Sequence, residues 1–210
     1  MPRHAVAKLQ TGPRIILQVG RVCYAAPGNF QGSSHLMLRE EVILVDPSDR
    51  EVGTEEKLRA HQRGELHRAF SVMVWDSNGR LLLQRRQIGK YHSGGLWTNT
   101  CCGHPRPGEP VGDAASRRLN EEMRVACVLT PIGTFSYRAE LDSGLIENEL
   151  VHLFSGRYDG PVAPDPRECD GFSWSSPEVI RRQIEAAPRS FSAWFKKYVT
   201  AGWPLLPPSR

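Results

Sequence analysis

The sequence predicts a mixed α/β sandwich of the α+β type. Three observations carry this: short apolar runs of strand length bounded by turn residues, one amphipathic helix in mid-chain, and two helices near the carboxyl end. The strands do not alternate regularly with helices, which excludes a βαβ repeat. Glu41 to Asp46 (EVILVD) is the first run, closed by the turn signal Pro47-Ser48-Asp49. Ala69 to Trp75 predicts a second strand. Asp76-Ser77-Asn78-Gly79 then reverses the chain, because Asn-Gly tolerates positive φ, and Leu81 to Arg85 returns. Trp97 to Pro105, with glycine and proline around a thiol and an imidazole, reads as a loop. Ala114, Ala115, Leu119 and Met123 recur at helical spacing, so Pro110 to Val125 predicts a helix with proline in its first turn. Strands at Ile132–Arg138 and Asn148–Tyr158 and helices at Pro177–Ala186 and Phe191–Thr200 complete the pattern.

Composition narrows the function. The chain has 210 residues, 40% hydrophobic and 24% charged, enough for one core and too apolar for disorder. Its apolar runs fall far short of the roughly 18 residues of a membrane span. Residues 1–36 contain Arg3, Lys8, Arg14 and Arg21 and no acid, which accounts for the whole net charge of +4. The remainder carries 23 residues of each sign, which gives no support to a nucleic-acid-binding body. The expected division is a basic, disordered extension over 1–36, with Met37 as an alternative start, a domain over 37–203 and a proline-rich tail over 204–210. Five cysteines (Cys23, Cys101, Cys102, Cys127, Cys169) lack CxxC spacing, which predicts a reducing, cytoplasmic setting.

Four clusters bear chemistry. In Trp97-Thr98-Asn99-Thr100-Cys101-Cys102-Gly103-His104-Pro105, a histidine two residues from Cys102 lowers the thiol pKa if it carries a cation or binds a metal. A small buried apolar side chain is the equal alternative for Cys102, and the default for the other cysteines. Glu147 and Glu149 flank Asn148 at a strand mouth and point to one face, where two carboxylates either sit in water or share a cation. His61 and His67 precede the second strand. With His104 and the two glutamates they offer nitrogen and oxygen ligands suited to Mn²⁺ or Mg²⁺, with Zn²⁺ an alternative if Cys102 is recruited. Arg85, Arg86 and Lys90, with Lys57 and Arg118 elsewhere, suit phosphate oxygens or an ordinary exposed strand end.

Gly103, Glu109, Arg117, Glu121 and Glu122 fall at the spacing of a Nudix box, with Arg118 where Nudix hydrolases carry a metal-binding glutamate and Arg124 in place of the glycine ending the helix. The strings WTN-x-x-CGHP, Tyr137-Arg138-Ala139 and Glu147-Asn148-Glu149 are more specific. With them, residues 37–200 resemble the type I isopentenyl-diphosphate isomerases. The resemblance implies a Nudix-like mixed-sheet α/β/α sandwich and the interconversion of isopentenyl and dimethylallyl diphosphate by proton addition and removal. By position, His61, His67, His104, Glu147 and Glu149 would hold one divalent ion, and Glu122 a Mg²⁺ arriving with the diphosphate. Cys102 and Glu149 would be the catalytic pair, with Tyr137 assisting. Lys57, Arg86, Lys90 and Arg118 would bind phosphate oxygens, and Trp174 would face the intermediate cation. The implied partner is a small-molecule diphosphate, with no nucleic acid and no membrane, for a monomer or weak dimer. Two other readings compete: a Nudix phosphohydrolase of a nucleoside diphosphate derivative, and a non-enzymatic module in which Cys101, Cys102 and His104 hold zinc.

Overall fold

The computed structural model describes residues 40–141 and 144–202. The expected extension over 1–36, the start at Met37 and the tail over 204–210 lie outside the described residues. The strands are β1 (Glu41–Val45), β2 (Glu51–Glu56), β3 (His67–Trp75), β4 (Leu81–Arg86), β5 (Trp97–Thr98), β6 (Cys101–Gly103), β7 (Leu129–Glu140), β8 (Ile146–Arg157) and β9 (Cys169–Ser175). The helices are α1 (Lys57–Arg63), α2 (Val111–Met123), α3 (Pro177–Ala186) and α4 (Ala193–Thr200).

Strand β3 organises the sheet. Eight of its nine residues are buried, as expected of a strand covered on both faces. Along one edge it runs parallel to β8 for its whole length, from His67 opposite Glu149 to Trp75 opposite Arg157. Its other edge is shared by β1 at His67, β6 at Phe70–Val72 and β4 at Trp75. β7 pairs antiparallel with β8 and is largely exposed, and its register shifts between Pro131 and Gly133, where a proline is tolerated at a sheet edge.

Alternation along β3 and β4 builds two cores. Phe70, Val72, Val74 and Leu82 meet Ala114, Ala115, Leu119 and Met123 of α2. Met73, Trp75, Leu81 and Leu83 meet Ile180 of α3 and Trp194, Phe195 and Tyr198 of α4 on the opposite face. The result is the helix–sheet–helix sandwich expected from the sequence.

The departures are local. β2 and α1 were not expected, because EVGTEE and KLRAHQR offer almost no apolar periodicity. What makes α1 is its ends: the Glu56 carboxylate accepts from the Leu58 and Arg59 N–H groups, and Gly64 stops the helix at φ 65°. β9 also escaped the sequence reading. The Trp97–Pro105 stretch is not all loop, since it pairs as β5 with β4 and as β6 with β3.

Arg124 takes the position that its place in the box implied. It caps α2 in the left-handed region, φ 54° and ψ 34°, and its backbone N–H reaches the Asn120 carbonyl. A side chain there costs about 1 kcal/mol relative to glycine. Arg124→Gly should therefore raise stability by up to about 1 kcal/mol in denaturant unfolding, since Asp165, though buried, keeps its shorter pairing with Arg167 at 2.7 Å when the 3.3 Å contact to Arg124 is lost. A lower midpoint would contradict this.

Candidate active site

The site is assembled around β3. His67 opens the strand opposite Glu149 on β8, and Ser71 lies opposite Cys102 on β6. Glu147, two residues before Glu149, shares its face of β8. Asn148 points the other way and donates to the Gly64 carbonyl at 2.9 Å, fastening the end of α1, which carries His61.

Three imidazoles and two carboxylates converge there. His61 Nδ1 lies 2.6 Å from the Lys57 carbonyl, and His67 Nδ1 lies 2.8 Å from the Glu65 carbonyl. A carbonyl only accepts, so each Nδ1 carries a proton and each Nε2 is the nitrogen left facing the carboxylates, open to a cation once it carries no proton of its own. Both Nε2 atoms are buried without a hydrogen-bond partner. They lie 3.7 Å from Glu147 Oε2 and 3.6 Å from Glu149 Oε1, while His104 Nε2 lies 3.0 Å from Glu149 Oε1. Ligand atoms of His61, His67, His104 and Glu149 fall within 4.8 Å of one another, and Glu147 joins His61 and His92 in an overlapping group. Two orphaned imidazole nitrogens beside buried carboxylates are what a divalent cation needs, so this donor set fits one.

The electrostatics follow from burial. Desolvation holds His104 well below the usual imidazole range, and the neighbouring His67 and Lys57 charges push it further down. Burial opposes charge on Glu149 too, but the facing His67 ring and the hydrogen bond from Tyr137 leave its pKa lowered, which favours the carboxylate. The Tyr137 hydroxyl donates to Glu149 Oε2 at 2.9 Å and lies 3.3 Å from Glu147 Oε2.

For Cys102 the surrounding protein acts through burial, which pushes the thiol up to about 12, against hydrogen bonds with Ser71 and Asn99. Asn99 donates both amide hydrogens to backbone carbonyls, which turns Oδ1 toward the thiol at 3.2 Å. Ser71 Oγ lies 3.2 Å from the sulfur and 2.9 Å from the Tyr198 hydroxyl. Cys101 faces the α2 core instead, and neither cysteine belongs to a potential ligand group among the described residues, which removes the basis for a Cys101–Cys102–His104 zinc site.

Cys102, Tyr137, Glu147 and Glu149 line one cavity of about 740 Å³, together with Lys57, Arg86, Lys90, Arg118 and Glu122. Lys57 pairs with Glu40 at 2.7 Å, and Lys90 with Glu168. Arg118 reaches Glu122 at 2.6 Å, Glu121 at 2.8 Å and Glu168 at 3.3 Å. Glu122 is also held by Gln84 at 3.0 Å and stands apart from the imidazole cluster. Arg85 is turned elsewhere, onto Asp170 and the Trp97 ring.

One expected residue is misplaced. Trp174 does not line the cavity; its ring packs against the α2-side core, because residue 174 of β9 lies beside Leu82 on that face. The tryptophan of the cavity is Trp194, with the Arg86 guanidinium 5.3 Å from its ring centroid. Trp194 escaped the sequence reading, which covered it only as part of the helix expected over Phe191–Thr200. His92 escaped it as one polar residue in a Gly/Ser-rich turn.

Fold and box define a class: the NUDIX domain model matches residues 65–195. The DR0079 protein of Deinococcus radiodurans superposes with a TM-score of 0.66 at 21% identity, covering 79% of this chain and all of that one. A MutT protein of Methanosarcina mazei gives 0.53 at 20% identity, covering 65% and 91%. At such identities the likeness is one of fold. Sequence goes further. The isopentenyl-diphosphate Delta-isomerase of Burkholderia multivorans is 51% identical over 170 residues, 80% of this chain and 97% of that protein. The enzyme of the same name from Streptomyces coelicolor is 46% identical over 185 residues, 87% and 91% of the two chains. The chain belongs to the isopentenyl-diphosphate Delta-isomerase family. No helix among the described residues is long and apolar enough to cross a membrane.

The donor set makes a direct prediction. Protein stripped by chelation and dialysis should melt higher with Mn²⁺, by the equivalent of about 2.7 kcal/mol when the ion is at a hundred times its Kd. His67→Ala should remove most of that gain. Equal melting of wild-type protein with and without Mn²⁺ would contradict the metal reading.

Proposed function

We propose that this chain interconverts isopentenyl diphosphate and dimethylallyl diphosphate in the cavity described above, with Cys102 and Glu149 as the proton-transferring pair. The observation that carries the reading is their placement: a thiol and a carboxylate, on the two strands flanking β3, facing one cavity. Moving a double bond along a five-carbon chain adds a proton at one carbon and removes one two carbons away. That takes one group holding a proton and one able to accept it, both in place beforehand. Burial keeps the proton on Cys102, and hydrogen bonds keep Glu149 ionised, so the two environments separate the roles.

A turnover that draws its proton from the sulfur and delivers another to the carboxylate leaves thiolate and carboxylic acid. The reverse reaction, or exchange with water, restores the starting pair. Asn99 Oδ1 accepts from the thiol form and Ser71 is placed to donate to the thiolate, which supports the sulfur in both states. Tyr137 holds Glu149 Oε2 and fixes the plane of the carboxylate. Trp194 offers a ring to the tertiary cation between the two transfers, a contact of about 2 kcal/mol when desolvated.

His61, His67, His104, Glu147 and Glu149 would hold one Mn²⁺ or Mg²⁺, and Glu122 a Mg²⁺ entering with the diphosphate. When bound, these ions supply fixed positive charge that aligns the donor set and offsets phosphate charge. Lys57, Arg86, Lys90 and Arg118 anchor the phosphate oxygens, at the cost of releasing Glu40 and Glu168. Arg118 also separates this site from a hydrolytic one. Its guanidinium sits among Glu121, Glu122 and Glu168, at the box position where hydrolases carry a metal-binding glutamate.

Cys102→Ala and Glu149→Gln should each lower kcat by a factor of about 10²–10⁴ with the fold retained by circular dichroism. Normal turnover in either would overturn the assignment. Trp194→Leu should lower kcat about 30-fold, whereas Trp174→Phe should leave it close to wild type. The opposite ranking would return the cation-facing role to Trp174.

A further inference from the structure

We propose that His92 is a positioning residue of the metal cluster, reaching it from the turn between β4 and β5 and holding Glu147 in its ligating orientation. The inference rests on the assignment of the His/Glu cluster to a divalent ion and adds a residue to it. Five histidines fall among the described residues. Three belong to that cluster, and His152 pairs with Asp49 at 2.9 Å. His92 has no part in the chemistry set out above, yet its ring is buried beside the cluster.

Its contacts specify what it does. Nε2 lies 3.4 Å from Glu147 Oε1, and Nδ1 lies 3.3 Å from the Ser93 hydroxyl. A carboxylate oxygen only accepts, so the ring presents Nε2–H to Glu147, and the Ser93 hydroxyl is free to donate to Nδ1. The other Glu147 oxygen, Oε2, faces His61 Nε2 at 3.7 Å. His92 therefore stands against one carboxylate oxygen, and the second is turned toward His61 Nε2. The ring itself has little freedom. It stacks on His61 at 5.8 Å with 30° between planes and meets the Trp194 ring edge-on at 6.0 Å. Carboxylates that bind metals are in turn held by outer hydrogen-bond partners, whose loss typically weakens metal binding 10–100-fold. The same contact ties the metal cluster to the turn that carries Lys90, two residues away, and the Arg86 Nη2 lies 3.4 Å from the His92 carbonyl.

The test is Mn²⁺ binding by the metal-free full chain, read from the electron paramagnetic resonance of free Mn²⁺. His92→Ala should weaken binding 10–100-fold, and His92→Gln, whose amide N–H occupies the place of Nε2–H, should restore it to within about threefold. His61→Ala serves as the control that removes a ligand. Wild-type affinity in His92→Ala overturns the proposal, and so does a His92→Gln variant as weak as His92→Ala, because a packing role predicts no rescue by the amide. If the wild-type chain binds no Mn²⁺, the metal cluster itself falls and takes this role with it. If His61→Ala loses binding while both His92 variants keep it, only the role of His92 falls.

Discussion

One strand sets the geometry of everything that follows. β3 is buried on both faces, and its two edges are taken by different partners: β8 along one, and β1, β6 and β4 in turn along the other. Because register in a buried sheet is fixed by which residues must face inward, a one-residue slip would turn each inward set outward. That constraint holds Glu149 opposite His67 and Cys102 opposite Ser71. The thiol, the carboxylate and His67 are thus consequences of sheet pairing. His104 follows directly after β6, and His61 comes from a separate helix whose end Asn148 binds back to β8.

The buried polar groups explain why the sequence there is so particular. His61 and His67 each spend Nδ1 on a backbone carbonyl, which leaves Nε2 without a protein partner in a buried site. Left alone, such atoms destabilise the fold. A cation that accepts both lone pairs and neutralises Glu147 and Glu149 turns that cost into binding energy, so occupancy of the site and integrity of the sheet edge are linked. The basic groups of the cavity are held by Glu40, Glu122 and Glu168, so in the proposed function an incoming diphosphate would exchange carboxylate partners for phosphate oxygens.

Much of this was legible in the chain. β3, β4, β8 and α2 announce themselves by apolar runs and helical spacing, and the Nudix spacing located Arg124 at a helix end where the backbone does turn left-handed. Glu147 and Glu149 share a face because strand periodicity requires it. What was not legible had weak local signals. α1 and β2 are polar segments held by end caps and hairpin pairing, which no periodicity records. Trp194 and Trp174 are both aromatic residues near the carboxyl end, and which of them faces the cavity depends on the side of the sheet each occupies, a tertiary fact. The protonation of Cys102 likewise depends on burial, which spacing does not reveal.

In the proposed mechanism Cys102 and Glu149 stand on separate strands, so the proton added and the proton removed pass through different groups. Conversion of isopentenyl diphosphate in D₂O, followed by proton NMR at early times, tests this most directly. The account predicts that the dimethylallyl product gains one deuterium in its newly formed methyl group from the first turnovers, with the diphosphate intact. An unlabelled product, in which a single group has carried the original proton across, would contradict it.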